Sequence, residues 1–113
     1  MEYNFDDYFT IEKCRKQLRV YHNEDDEEIK EYAEIALSAI SSYINRDIYP
    51  ETGTVPEGDD YSILINKGIR GACFLLLSDL YENRTISLEQ SANKNPVFDL
   101  LLGPHMNYAV RAV

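Results

Sequence analysis

The residues able to carry acid–base, nucleophilic or metal chemistry in this chain are few and scattered. Two histidines, His22 and His105, fall near the ends of expected helices, with no Cys, His or carboxylate at a metal-ligand spacing on the same helix face. Two cysteines, Cys14 and Cys73, lie within apolar helical patterns, and no C-x-x-C pair occurs, so reduced cytoplasmic thiols are expected rather than a disulfide framework. The acidic run Glu24 to Glu28 lacks the alternating ligands, central glycine and terminal glutamate of a calcium loop. Asp59 and Asp60 come nearest to a general acid–base pair, but adjacent residues diverge in direction, and a cap for the following helix is the simpler use. No phosphate-binding loop, dinucleotide fingerprint or nucleophile elbow is present. The expectation is a protein that is not an enzyme and needs no cofactor or metal.

The elements that would position these residues read as helices. Thr10 can cap a first short helix whose face carries Ile11, Cys14 and Leu18 and which ends around Leu18 to Val20. The acids from Glu24 to Glu28 suit a helix N-terminus, and Asp25 with Glu28 has the spacing of a capping box. Ile29, Ala33, Ala36, Leu37, Ile40, Tyr43 and Ile44 then recur at steps of three and four, predicting an amphipathic helix to about Asp47. Residues 48–62 contain Pro50, Gly53, Pro56 and Gly58 and form an extended loop, long enough that a hairpin or a contact surface is expected of it.

A third helix is predicted from about Ser62 to Asn83. Its stripe of Ile65, Ile69, Ala72, Cys73, Leu76, Leu77 and Leu80 is widened by Leu64, Phe74, Leu75 and Tyr81, so it belongs in the core or is covered by a neighbouring subunit. Gly68 and Gly71 within it imply close backbone contact or a late helix start. Residues 85–94 read as a loop. Asn95 and Pro96 then start a short helix over Val97 to Leu102, stopped by Gly103 and Pro104. From His105 onward a weak period of two suggests a tail able to add as a strand to another chain. The fold class expected is all-α, a single domain over residues 1–113 with two long antiparallel helices, short N- and C-terminal helices and the Pro/Gly loop, residues 1–9 and 105–113 being flexible tails.

Charge narrows the partners. Twenty acidic against eleven basic residues give a net charge of −9 in 113 residues, the wrong sign for a domain that grips nucleic acid through its phosphates. Sixteen of the acids and only six of the bases lie in residues 1–60, which makes one half an acidic face. The N-terminus lacks a basic region followed by an apolar run, and the longest apolar run, Ala72 to Leu77, is far too short for a membrane span. A soluble, intracellular protein with no membrane partner is expected.

The order of these pieces resembles a known family. A short helix ending Leu18-Arg19-Val20, an acidic start to an alanine-rich helix, a Pro/Gly loop, an apolar helix ending Leu80-Tyr81-Glu82-Asn83-Arg84, and a closing Leu100-Leu101-Leu102-Gly103-Pro104 segment are similar to the head–tail connector (adaptor) proteins of tailed bacteriophages and prophages. The family often has an aromatic residue and an arginine directly after the closing proline. Here His105 and Met106 stand there, with Tyr108 and Arg111 downstream. The resemblance implies a structural virion protein at the neck, assembled in the host cytoplasm as a dodecameric ring of its own copies beneath the portal protein. Such a ring extends the DNA channel without binding DNA specifically and offers a docking surface to a tail or stopper protein.

On this reading Tyr81, Asn83, Arg84, Leu101, Leu102, Pro104, Tyr108 and Arg111 are candidates for the subunit and portal interfaces. Glu27, Glu31 and Glu34 are candidates for an acidic wall along the channel. A reading of a different class takes the acidic block as a small regulatory protein that mimics DNA and occupies the basic groove of a partner.

Overall fold

The computed structural model describes residues 2–83 and 97–107, excepting the side chains of Asn83, Phe98 and Asp99. In chain order the elements are α1 (Phe5–Tyr8), α2 (Ile11–Leu18), α3 (Asp26–Ile44), β1 (Ile48–Tyr49), β2 (Ile63–Leu64), α4 (Lys67–Asn83), α5 (Val97–Leu102) and a 3-10 turn over Gly103–His105. The expected all-α architecture is present. α3 and α4 form the centre and run antiparallel, since the C-terminal turn of α4 meets the start of α3 through a Tyr81 hydroxyl donated to Asp25 Oδ2 at 2.5 Å.

The helical patterning translates directly into burial. Ile29, Ala33, Ala36, Leu37, Ile40 and Ile44 of α3 face Ile69, Ala72, Cys73, Leu76 and Leu77 of α4, all buried, and the alanines let the two backbones approach. Thr10 Oγ1 accepts from the Lys13 amide and caps α2, whose buried face carries Cys14. α2 ends at Arg19 and α3 at Asn45, both in the left-handed conformation at φ 58° and 57°. Burial pushes the Cys14 thiol up to about 12 and that of Cys73 higher still, so neither is a ready nucleophile.

Four expectations are corrected. First, residues 2–9 are no loose tail: Tyr3, Phe5, Tyr8 and Phe9 are buried, with the Phe9 ring tilted against those of Phe5 and Phe74 at a centroid distance of 5.8 Å from each. Part of the apolar surplus of α4, assigned from sequence to the core or to a neighbouring subunit, is thus covered within the chain. Second, the 48–62 loop closes through a parallel pairing, Ile48 with Ile63 and Tyr49 with Leu64, rather than a hairpin. The ladder bonds are Ile63 N to Asp47 O at 2.9 Å and Ile65 N to Tyr49 O at 2.8 Å. They leave the Ile48 amide and carbonyl on the far edge, where Tyr3 Oη accepts from the amide at 3.1 Å and Tyr8 Oη donates to the carbonyl at 2.6 Å. Side chains of the N-terminal segment therefore finish an otherwise open strand edge.

Third, α4 starts at Lys67 rather than near Ser62, because Asn66 Oδ1 accepts from the Ile69 amide at 3.0 Å and caps it. Asp59, expected to cap this helix, instead holds its own turn through the amides of Tyr61 and Ser62 and the Ser62 hydroxyl. The late start and the close approach both apply to Gly68, where a Cβ would lie 3.2 Å from the Leu101 carbonyl oxygen. Fourth, the segment from His105 to Asn107 is docked: the Asn107 amide donates to the Ile44 carbonyl at 2.9 Å, filling an acceptor left open by the end of α3. Residues 108–113, the 85–94 loop and the Asn95–Pro96 start of α5 lie outside the described residues.

Arg46 ties these connections together. Its Nε donates to His105 O at 2.8 Å and its Nη1 to Tyr61 O at 3.1 Å, while Ser41 Oγ donates to its carbonyl at 2.6 Å. One side chain thus pins the C-terminal turn and the long loop to the end of α3.

Candidate functional site

Three acids at the start of α3, Asp25, Asp26 and Glu28, are engaged within the chain. Asp26 forms a two-bond ion pair with Arg15 of α2, which holds its carboxyl below the usual range and raises the arginine. Asp25 accepts from Tyr81 and Glu28 from the Tyr32 hydroxyl at 3.1 Å. Asp25 precedes α3 without a side-chain capping bond, so the expected capping box does not form; its carboxylate is turned to Tyr81 instead. This fastens three helices at one corner, α2 by Arg15, α3 by its acids and α4 by Tyr81.

His22 is exposed, and its Nδ1 accepts from the Glu24 amide at 3.3 Å. His105 sits in the 3-10 turn with its carbonyl on Arg46. Among the described residues no three His, Cys, Asp or Glu side chains converge on a point that could hold a metal ion. Among the described residues no helix is long and apolar enough to cross a membrane. What the geometry offers is surfaces.

The residues picked out from sequence divide between core and surface. Leu102 is fully buried and Leu101 packs over Gly71, where a Cβ would stand 3.6 Å from Leu101 Cδ1, so both serve the subunit's own packing. Pro104 is exposed. Tyr81 is half-buried at the three-helix corner, and Asn83 is the last residue of α4. Arg84, Tyr108 and Arg111 lie outside the described residues. Glu27 and Glu31 are exposed along α3, while Glu34 Oε2 accepts from the Phe5 amide at 2.7 Å and so caps α1. With Asp6 and Lys30 they line an open face between α1 and α3.

Replacing Tyr81 by Phe is expected to lower stability by about 1 kcal/mol, because it strands Asp25 at a partly solvated site. A urea titration read by circular dichroism measures it. If Tyr81 acts only at this corner, the mass of any assembly is unchanged.

Two features escaped the sequence reading. Lys13, Lys16 and Arg19 stand together on the exposed side of α2, in a groove with Gln17 and Phe74. Their spacing of three was legible, but a net charge of −9 drew attention to the acids. On α5, Val97 and Leu100 are 42% and 76% exposed, one turn apart and next to the buried Leu102.

No curated protein sequence matches the chain. The fold is similar to that of the crystal structure of bacteriophage HK97 gp6, with a TM-score of 0.66 and 20% identity over 92% of this chain and 98% of that one. The acidic regulator finds no support in either comparison. Residues 8–99, from the last buried aromatics of the N-terminal segment into α5, match the family model of phage gp6-like head–tail connector proteins, and the chain belongs to that family.

Proposed function

We propose that this head–tail connector works as a closed, dodecameric ring of identical subunits seated beneath the portal protein at the virion neck. The ring extends the DNA channel and presents its other face to a tail or stopper protein. The observation that carries this reading is the match to the connector family over residues 8–99. The physical arrangement suits it. A subunit whose helices are locked at both ends, by the Arg15–Asp26 and Tyr81–Asp25 bonds and by Arg46, is a rigid block that can repeat around an axis. Exposed Val97, Leu100 and Pro104 cluster near one end of the chain and supply apolar contact area of the kind that subunit or portal docking buries. Leu102 is withdrawn from the interface set because it is core. Arg84, Tyr108 and Arg111 remain candidates for portal contact. The ring forms in the host cytoplasm.

The test is size-exclusion chromatography with light scattering on the purified chain, alone and with the portal ring encoded beside it. A ring-sized mass, or co-elution with the portal at a fixed multiple of subunits, is expected. A monomer that ignores the portal at low and moderate salt overturns the reading.

A further inference from the structure

The positive charge that is not already engaged within the described residues is concentrated on one helix face. Arg15 is paired with Asp26, Lys30 with Glu27 and Arg70 with Glu51, while Arg46 is spent on backbone carbonyls. Lys67 stands by itself at the start of α4. Lys13, Lys16 and Arg19 remain, advancing about 9 Å along α2. They share the α2–α4 groove with Gln17 and the half-buried Phe74, and no carboxylate lines it.

A second face of the same chain has the opposite character. Glu27, Glu31 and Glu34 advance about 10 Å along α3. With Asp6 of α1 they surround Lys30 and the edge of Phe5. Lys30 Nζ lies 5.9 Å from the Phe5 ring centroid and 3.9 Å from Glu27, so it neutralises only part of this row. The two faces have no residue in common, since one is built by α2 and α4 and the other by α1 and α3. In the basic groove the half-buried ring of Phe74 sits among the charges, the pattern of an interface with an apolar centre and a polar rim, whereas Phe5 beneath the acidic row is buried.

Two different, mutually complementary surfaces on one chain allow a heterologous contact, the kind that repeats head to tail and closes into a ring. We infer that the basic α2–α4 groove of one copy docks the acidic α1–α3 face of the next copy, and that this contact sets the order of subunits around the ring. The inference rests on the ring reading above. It moves Glu27, Glu31 and Glu34 from the channel wall to the boundary between subunits.

The test reverses charge on exposed side chains and leaves Glu34, which caps α1, untouched. Lys13→Glu with Lys16→Glu, and separately Glu27→Lys with Glu31→Lys, are each expected to raise the concentration for half-assembly about tenfold or more at low salt. The effect fades as ionic strength approaches about 0.5 M. All four reversals in one chain exchange the sign of both faces, and assembly is expected to return to near the wild-type concentration while the thermal melt of every variant stays close to wild type. That rescue is the decisive result, because a general loss of folding cannot produce it. If the wild-type chain assembles and the reversals leave it unchanged, the contact lies elsewhere: this inference falls, and the ring reading stands. If the wild-type chain assembles neither alone nor on the portal ring, both fall. If the lysine reversals abolish retention of a short DNA duplex and leave assembly intact, the α2 face serves nucleic acid, and the inference is overturned.

Discussion

Phe9→Ala is expected to lower the melting temperature by on the order of 15 °C. The side chain is buried where the N-terminal segment crosses α4, with its ring against Phe5 and Phe74. Truncating a buried phenylalanine removes its transfer free energy and leaves a cavity, together about 3–4 kcal/mol. At this chain length each kcal/mol shifts the midpoint by about 4 °C. The loss spreads further, because Phe9 holds the neighbouring Tyr8 over the Ile48 carbonyl and so keeps the strand edge finished. A tail that is only loosely attached would give no shift at all. Leu100→Ala is the matched control: its side chain is 76% exposed, and its midpoint is expected to move by less than about 0.5 kcal/mol equivalent. Differential scanning calorimetry on the three chains decides between the two pictures of the N-terminus.

Arg46→Ala should cost about 2–4 kcal/mol, because it strands the carbonyls of His105 and Tyr61 together, and bonds from a charged donor are worth more than neutral ones. The damage is expected to be local before it is global. Amide hydrogen exchange should quicken at Asn107 and Ile63, whose amides donate to Ile44 and Asp47 at the same junction, while the middle of α3 keeps its protection. Arg46→Lys should recover only part of the loss, since one ammonium cannot span two carbonyls held in the geometry of a guanidinium. Equal acceleration at all amides would mean that Arg46 supports the whole fold rather than this junction.

The parts of the fold that sequence foretold are those whose causes are local. Thr10 sits next to the amides it caps, and the α3 stripe repeats within its own helix. Cys73, Leu76 and Leu77 stood out as residues to be buried, in the core or by a neighbouring subunit, and the core takes them. The missed parts depend on residues far apart in the chain. Tyr3 and Tyr8 finish the edge of Ile48 across 45 and 40 positions, and Arg46 reaches His105 across 59. No periodicity announces such bonds. One signal was available for the N-terminus: Phe5, Tyr8 and Phe9 have helical spacing, and loose tails are poor in aromatics. The acidic residues between them masked it. Asp25 failed as a cap for a related reason, since the spacing of a capping box is satisfied by sequence alone while Tyr81 competes for the same carboxylate from another helix. Among the interface candidates, Leu102 shows that an apolar run next to a glycine and a proline marks a helix end without saying which of its leucines turns inward.

The corner after α2 carries one more consequence. Arg19 holds a left-handed backbone at φ 58°, where a side chain with a Cβ is strained by about 1 kcal/mol and glycine is not. Most natural chains have little stability to spare. This one nevertheless tolerates conformational strain at a position that adds a third cation beside Lys13 and Lys16. Relaxing the corner with glycine would ease the turn while thinning the positive field around it. The chain is therefore not tuned for its own greatest stability at this point, where it keeps a cation in place of the glycine that the turn favours.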